Sequence, residues 1–167
     1  LSRRKVQVDF RGGQVRSDGG GLLLREVERR RGWVRDFADC FSDYRDQRWV
    51  EHSVRAMAGQ RIFGLALGYE DLNDHEQLRA DPLLAVLVEK EDPTGESRAR
   101  ERDRGKALAG KSTLNRLELT PMDATAEARY KKIVIDETAV DRLLVNLYIQ
   151  SQPRQPGRIV LDLDATD

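Results

Sequence analysis

Two aspartates near the end of the chain have the spacing of a metal site. Asp162 and Asp164 follow the apolar residues Ile159-Val160-Leu161 in the segment IVLDLDATD. On a strand, residues two apart share a face and lie about 7 Å apart. Two buried carboxylates on one face need a partner, most often a divalent cation bound through oxygen. The pattern predicts metal ligands at a strand end, which Asp167 either joins or follows as ordinary loop; the alternative is a strand end whose acids are bound by neighbours or solvent.

A second group of residues has the types that contact DNA. Arginines and lysines recur between residues 98 and 116, and a short helix predicted over residues 112–119 begins with hydroxyl, amide and guanidinium groups. Such groups bind phosphates and base edges. The alternative is that this charge only solvates a protein surface, as the earlier arginines between residues 25 and 35 also could. The predicted DNA-binding residues are Arg104, Lys106, Lys111, Ser112, Thr113, Asn115 and Arg116.

Residues 105–112 read GKALAGKS, which matches the phosphate-loop pattern Gly-x4-Gly-Lys-Ser. Nucleotide binding by this motif requires a buried strand before the loop, so that backbone N–H groups point at phosphates. The preceding residues, SRARERDR, are too polar to form such a strand. The motif therefore favours a basic loop that runs into a helix capped by Ser112 or Thr113.

A third cluster contains Glu70, Asp71, Asp74 and His75. Its spacing fits no standard zinc or calcium loop. Turn and helix-capping chemistry explains the acidic residues more simply. We therefore expect no metal site there.

The elements that must position these groups are predicted to be mainly helical. A Gly12-Gly13 turn predicts a short hairpin within residues 1–20. Residues 52–69 predict an α-helix, and Gln60 falls outside its apolar stripe, on the polar face. Residues 89–110 are highly charged and predict a solvated, mobile loop. No strand is predicted inside the helical module over residues 21–150, and a strand begins at residue 158. Further helices are predicted over residues 21–31, 35–41, 74–80, 112–119 and 136–150, with another starting at Asp81-Pro82.

Composition limits the classes of function. The 167 residues carry 29 basic and 29 acidic side chains, so net charge indicates neither a nucleic-acid nor a membrane partner. The single cysteine, Cys40, excludes an internal disulfide framework and predicts a reducing cytoplasm. There is no signal peptide, and no apolar run approaches ~18 residues, so we expect no membrane span. Because the sequence starts without Met and stops inside the aspartate motif, we expect a fragment of a longer protein.

Four blocks occur in a characteristic order: VDFRGGQVRSDGGGLLLREVERRRG, QRIFGLALGYEDLNDHEQLRADPLL, LAGKSTLNRLE and RIVLDLDATD. The sequence over residues 8–167 resembles the transposases of bacterial insertion sequences that carry the DDE domain group 1 catalytic region. The resemblance implies a mainly helical DNA-binding and assembly module over residues 21–150. It also implies that residues 158–167 form the first strand of a truncated RNase H-like α/β catalytic domain.

The resemblance further implies a mechanism. Two aspartates and one glutamate hold two Mg²⁺ or Mn²⁺ ions for phosphodiester cleavage and strand transfer. Asp164 matches the first catalytic aspartate, with Asp162 as the alternative. The other two acids lie beyond Asp167 in the family, so we expect this fragment to be inactive alone and to bind metal unstably.

The partners that the resemblance implies are double-stranded DNA, at terminal inverted repeats and at target sites, and a second copy in a homodimer. The expected location is the bacterial cytoplasm, in association with the nucleoid. The rival hypothesis is a non-catalytic helical DNA-binding or interaction protein from a decayed element. A weaker rival is a nucleotide hydrolase that uses residues 105–112.

Overall fold

The described part of the chain is mainly helical. A computed structural model describes residues 17–154 and 157–160. Short 3₁₀ turns lie at Ser17–Gly20, Gln47–Trp49, Leu72–Asp74 and Glu101–Asp103. The α-helices are α1 (Gly21–Arg31), α2 (Trp33–Ala38), α3 (Val54–Ala66), α4 (His75–Leu78), α5 (Pro82–Leu87), α6 (Lys111–Glu118) and α7 (Glu137–Ser151).

Side-chain caps explain where several helices begin. Ser53 accepts a hydrogen bond from the third backbone N–H of α3, and Asp136 does the same for α7. Asp81 caps α5, whose first residue is Pro82. The predicted starts of these helices are therefore confirmed to within two residues. Gly32, with φ of 74°, separates α1 from α2.

Helix α3 lies at the centre of two apolar clusters. Gly59 of α3 faces Val34 and Val88, whose side chains would lie 3.3 and 3.2 Å from an added Cβ, so the packing there is close. The first cluster joins α2, α3, α4 and α5 to residues 107–108. In the second cluster, Met57 of α3 packs with Leu114 and Leu117 of α6. Their orientation confirms that Leu114 and Leu117 face inward.

A two-stranded antiparallel sheet joins distant parts of the chain. Strand β1 (Phe41–Asp43) pairs with β2 (Ile133–Ile135), and Phe41 is opposite Ile135. The expectation of no strand inside the helical module is therefore wrong, as is the predicted helix over residues 39–41. Strands of three residues show almost no periodicity in the sequence. Their pairing joins segments some ninety residues apart, so a local sequence pattern cannot predict it.

Helix α7 begins and ends within one residue of its predicted bounds. None of its residues is buried, including its apolar residues Val140, Leu143, Leu144, Leu147 and Tyr148. Leu144 and Tyr148 are exposed, and the other three are half-buried. No helix in the described part of the chain is long and apolar enough to cross a membrane.

Several predictions lie outside the described residues. These are the N-terminal hairpin and the aspartates Asp162, Asp164 and Asp167. Of the predicted terminal strand, only Arg158, Ile159 and Val160 are described; all three are exposed and belong to no strand. The RNase H-like fold and the division into three segments stay predictions.

Candidate nucleic-acid interface

The charged segment over residues 89–110 is held firmly against the helices. It contains the 3₁₀ turn Glu101–Asp103, and its last four residues, 107–110, are buried. Leu108 is completely buried and belongs to the first apolar cluster. The prediction of a solvated loop is therefore wrong for this end of the segment. Leu108-Ala109-Gly110, which we call the LAG triplet, is surrounded by charged residues in the sequence. It is too short to show a helical or strand periodicity, so the sequence pattern did not reveal that it is buried.

Asp92 organises the first turn of the segment. Its carboxylate accepts hydrogen bonds from the backbone N–H groups of Thr94, Gly95 and Ser97, at 3.1, 3.0 and 2.7 Å. The hydroxyl groups of Thr94 and Ser97 also donate to it, each at 2.7 Å. These bonds, above all those from Ser97, hold the pKa of Asp92 well below its usual range. The carboxylate is thus fully used in forming the turn.

Gly95 allows the segment to fold back on itself. Its φ is +71°, in the region that favours glycine, and an added Cβ would lie 2.6 Å from the backbone nitrogen of Ala107. The Gly95 carbonyl accepts a hydrogen bond from the N–H of Gly105 at 3.1 Å. Only glycine fits this position, because the opposing atoms belong to the backbone and cannot move aside.

Arg98 points into the protein instead of toward solvent. Its guanidinium donates to the Glu51 carboxylate at 2.9 Å and lies 3.1 Å from Nε2 of His52. Burial, followed by the charges of Lys90 and Arg98, lowers the pKa of His52 to about 3. His52 is therefore neutral and can accept from Arg98. This arginine has a structural partner and is a poor candidate for a phosphate contact.

Arg79 links the arginine-rich turn to the start of α6. Its Nη2 lies 3.3 Å from Oδ1 of Asp103, within the turn. On its other side, Nη1 lies 3.7 Å from the Glu76 carboxylate and would lie 3.1 Å from a Cβ added to Gly110. The carbonyl of Arg79 accepts from the N–H of Leu108 at 3.0 Å. One side chain thus fixes the turn beside the first residue of α6.

The start of α6 is bound by a carboxylate from another helix. Gly110 is the N-cap and makes no side-chain cap, while the backbone N–H of Lys111 donates to Oε1 of Glu76 at 2.9 Å. The prediction that Ser112 or Thr113 caps this helix is therefore wrong. The true partner is thirty-five residues away in sequence, and tertiary packing supplies it.

The phosphate-loop resemblance has no matching geometry. The N–H of Ala109 donates to Gln60 at 3.0 Å, and those of Leu108 and Lys111 are bound as described above. The Lys111 ammonium donates to Oδ1 of Asn73 at 2.9 Å. These groups are satisfied within the protein and do not point at a common anion site. The structure thus supports the sequence argument against nucleotide binding.

The outer side of α6 carries the predicted contact groups. Since Leu114 and Leu117 face the core, Ser112 and Arg116 are exposed, and Thr113 and Asn115 are half-buried. Within the described residues, the side chains of Arg104 and Arg116 have no carboxylate partner. Lys106 is half-buried, and its ammonium donates to the carbonyl of Arg102 at 2.8 Å. We call the following set the basic surface: Arg104, Lys106, Lys111, Ser112, Thr113, Asn115 and Arg116.

A buried polar network supports α6 from below. The Gln60 amide donates to the Ala109 carbonyl at 2.7 Å and to Nδ1 of His75 at 2.9 Å. Gln60 is almost completely buried, which corrects its predicted place on the polar face of α3. The LAG triplet therefore packs on α3 through the backbone of Ala109 and through the apolar side chain of Leu108. The only sequence signal for this network was the position of Gln60, a polar residue, next to the apolar stripe of α3.

His75 completes that network in its neutral form. Nη1 of Arg61 lies 3.1 Å from His75 Nε2, so both ring nitrogens face donors. A neutral ring accepts at only one nitrogen, here Nδ1 from Gln60, and carries its single proton on Nε2. A second proton, on Nδ1, would face the Gln60 amide donor instead of an acceptor. Burial and the charge of Arg61 accordingly lower the pKa of His75 to about 4. Arg61 also pairs with Glu118, the last residue of α6, so this helix is held at its end by Arg61 and at its start by Glu76.

The earlier arginines are largely neutralised by acidic side chains. Arg29 and Arg30 both pair with Glu26, at 3.2 and 2.9 Å, within one or two turns of α1. Arg35 pairs with its neighbour Asp36 at 2.7 Å. This region therefore presents less unpaired positive charge than its sequence suggests.

The acidic residues around His75 form turns and caps. Asp71 accepts a hydrogen bond from the N–H of Asn73 at 2.8 Å and caps the 3₁₀ turn, while His75 is buried. No group of three or more metal-ligating side chains occurs among the described residues. Asp71 thus has the capping role that the spacing predicted.

The sequence model of the family described as transposase DDE domain group 1 matches residues 1–167, the whole chain. The chain belongs to this transposase family. The resemblance seen in the four sequence blocks is thereby confirmed. No curated protein and no solved structure matches the chain.

Membership of the DDE transposase family supports a transposase-type function in general and makes DNA the expected partner. Such transposases generally use divalent metal ions. The Asp162 and Asp164 carboxylates offer the hard oxygen ligands that Mg²⁺ and Mn²⁺ prefer. The basic surface, in turn, offers groups suited to the DNA backbone.

Proposed function

We propose that this chain binds the terminal inverted-repeat DNA of an insertion sequence through the basic surface, as part of a DDE transposase. The observation that carries the proposal is the position of Arg79. By contacting Asp103 and Glu76 at once, it holds the arginine-rich turn beside α6. The turn that precedes Arg104 and the start of α6 therefore lie on either side of Arg79, which supports treating their contact groups as one surface.

The side chains of this surface suit a division of labour on DNA. Arg104 and Arg116 are exposed and lack carboxylate partners in the described residues, so they can neutralise phosphates. Ser112 and Asn115 offer groups that can reach either a phosphate or a base edge. Because Arg61 and Glu118 fix the far end of α6, these groups are presented on a rigid helix. Rigid presentation lowers the entropic cost of binding.

For the catalytic part, we assign Asp164 as the first catalytic aspartate, with Asp162 as the alternative. Their carboxylates would hold Mg²⁺ or Mn²⁺ together with a second aspartate and a glutamate, which the family resemblance places C-terminal to the Asp162–Asp167 motif. When bound, such ions activate a water or a 3′-hydroxyl and stabilise the leaving oxygen in strand cleavage and transfer. The helical module would bind and orient the DNA, and chemistry would require the remaining acids.

The DNA-binding proposal is tested by titrating labelled inverted-repeat duplex and a scrambled duplex with the chain at several salt concentrations. The double variant Arg104→Ala/Arg116→Ala should bind end DNA roughly tenfold more weakly, and its log–log salt slope should fall by about 2, since each lost phosphate contact removes about 0.9. The matched control is Arg142→Ala on α7, which removes an exposed arginine outside the basic surface.

The control should keep the affinity and the salt slope of the unaltered chain. Equal weakening by Arg142→Ala would show that binding depends on total charge, and the assignment of the basic surface would fail. Equal, salt-sensitive binding of both duplexes would shift end recognition to another part of the transposase. Circular dichroism of each variant checks that the helices remain folded.

The catalytic assignment has its own test in a transposase that carries this chain. Asp164→Asn keeps the size of the side chain but removes its charge, so strand cleavage should be lost while end-DNA affinity is retained. Cleavage that survives Asp164→Asn and is lost with Asp162→Asn would transfer the role to Asp162. Cleavage that survives both substitutions would contradict the assignment.

A further inference from the structure

Three of the five exposed aromatic side chains in the described part of the chain belong to the connections at one end of the small sheet. Because β1 and β2 are antiparallel, with Asp43 opposite Ile133, the residues that follow β1 meet those that precede β2. Tyr44 and Trp49 follow β1, and Tyr130 precedes β2. Their exposed fractions are 45%, 81% and 60%. Several large aromatic groups left in solvent at one place are typical of a binding surface.

Hydrogen bonds order the backbone from which these rings project. The N–H of Tyr44 donates to the Lys132 carbonyl at 2.8 Å, which extends the contact between the two chain segments one residue beyond the strands. The Asp43 carboxylate accepts from the Gln47 amide at 3.3 Å, so the chain turns directly into the 3₁₀ turn that ends at Trp49. An ordered backbone lowers the entropic cost of binding a ligand.

The connection before β2 carries three cations that form no ion pair with a described residue: Arg129, Lys131 and Lys132. The Arg129 guanidinium lies 4.9 Å from the centroid of the Tyr130 ring, so a cation and an aromatic ring adjoin. In the connection after β1, by contrast, Arg48 is paired with Asp46 at 2.6 Å. The excess of positive charge favours an anionic partner. We call Tyr44, Trp49, Arg129, Tyr130, Lys131 and Lys132 the aromatic end.

The aromatic end adjoins the basic surface. The Lys131 ammonium donates to the carbonyl of Leu119 at 2.7 Å, and Leu119 directly follows α6. The exposed Arg116 lies three residues earlier, about 5 Å back along the helix axis. A DNA strand that contacts Arg116 therefore has the cations of the aromatic end within reach.

We propose that the aromatic end binds unpaired nucleotides of a DNA strand. The rings of Trp49 and Tyr130 stack on bases, while the three cations neutralise phosphates. Unpaired bases suit these rings because their faces are free, whereas neighbouring pairs cover the base faces inside a duplex. The inference rests on the proposed function in taking DNA as the partner, and it adds a site for single-stranded DNA outside the basic surface.

Fluorescence anisotropy of labelled oligonucleotides tests the proposal in the full chain. Three probes are compared: a single strand of about 12 nucleotides, a strand of the same length built from abasic sites, and a blunt duplex of the first sequence. The abasic strand keeps the phosphates but offers no base to stack on. The unaltered chain should therefore bind the normal single strand roughly tenfold more tightly than the abasic one.

Substitution of Tyr130 separates stacking from charge. Tyr130→Ala should weaken binding of the normal single strand roughly tenfold and leave duplex affinity unchanged. Tyr130→Phe should retain the affinity, because stacking uses the ring and not the hydroxyl. The matched control is Tyr148→Ala on α7, which removes an exposed tyrosine outside the aromatic end and should have no effect.

Tryptophan fluorescence reports on the second ring. Trp33 and Trp49 are the only tryptophans of the chain, so Trp33→Phe leaves Trp49 as the sole emitter. The normal single strand should quench its emission, and the abasic strand should not, because only a base can stack on the indole. Emission that stays unchanged when the normal strand is bound would contradict stacking on Trp49.

Equal affinity for the normal and abasic strands would overturn the proposal, as would equal losses from Tyr130→Ala and Tyr148→Ala. Failure to bind any single strand would also overturn it and would make the aromatic end a candidate contact for another protein. The two DNA proposals fail separately. Loss of inverted-repeat preference affects only the basic surface, whereas single-strand binding that is insensitive to Tyr130→Ala affects only the aromatic end.

Discussion

Five arginines lie between residues 25 and 35 and five between residues 98 and 116, yet the two regions use their charge differently. In the first region, Glu26 lies three and four residues before Arg29 and Arg30, so the helix itself brings acid and base together. In the second region, Asp92 is taken by backbone N–H groups and Asp103 by Arg79. Arg104 and Arg116 are then left without carboxylate partners among the described residues.

The comparison shows that the carboxylates decide what an arginine cluster can do. Equal numbers of charges produce a nearly neutral surface when acids sit at helical spacing. They produce a basic surface when the acids are used to build turns. Net charge and local density cannot separate these cases, because both regions have neighbouring acidic residues in the sequence.

The largest expected effect comes from breaking the turn that supports the second region. Gly95→Ala introduces a Cβ against backbone atoms at a φ of +71°, and should lower the free energy of unfolding by about 3 kcal/mol. The matched control is Gly105→Ala, with a φ of +76° but no atom within 4 Å of the added Cβ. It should cost only about 1 kcal/mol. Urea denaturation measures both; equal losses would show that the backbone contact with Ala107 is unimportant.

The second largest effect is expected from lowering the pH, which should reduce the free energy of unfolding through groups in the second region. His52 and His75 are the only histidines of the chain, and both lie beneath this region. Their pKa values, about 3 and about 4, rise to about 6.5 on unfolding, so the unfolded chain binds more protons below pH 6.5. Their stabilising contribution is present above pH 6.5 and is lost as the pH falls toward 4. Between pH 7 and pH 5 the loss should be roughly 2 kcal/mol for each histidine.

Urea denaturation at the two pH values, at constant ionic strength, measures this loss. The carboxylates with lowered pKa values, such as Asp92, titrate below this window and contribute little to the difference. An unchanged free energy of unfolding would mean that the two imidazoles are not held neutral in the folded protein.

The smallest effect is expected in the first region. Arg29→Ala/Arg30→Ala removes two exposed pairs with Glu26 and should leave the free energy of unfolding nearly unchanged. Because these charges are already paired, end-DNA affinity should fall less than twofold. Duplex titration beside Arg104→Ala/Arg116→Ala measures the contrast. A larger loss from the α1 variant would reverse the functional ranking of the two regions.

Local sequence patterns were sufficient wherever the deciding contacts lie within a few residues. The starts of α3, α5 and α7 follow from Ser53, Asp81 and Asp136, each of which caps the helix that it precedes. The inward faces of Leu114 and Leu117 follow from helical spacing. The types and spacing of the basic-surface residues were also readable from the sequence alone.

The sequence by itself determined most helices, the candidate contact groups and, through its four ordered blocks, membership of the transposase family. Tertiary structure decided which of those groups are free. It buried residues 107–110, paired β1 with β2, used Glu76 to bind the start of α6 and directed Arg98 inward. The physical reason is range: propensity and capping act over three or four residues, whereas a carboxylate's final partner depends on groups brought together from distant parts of the chain.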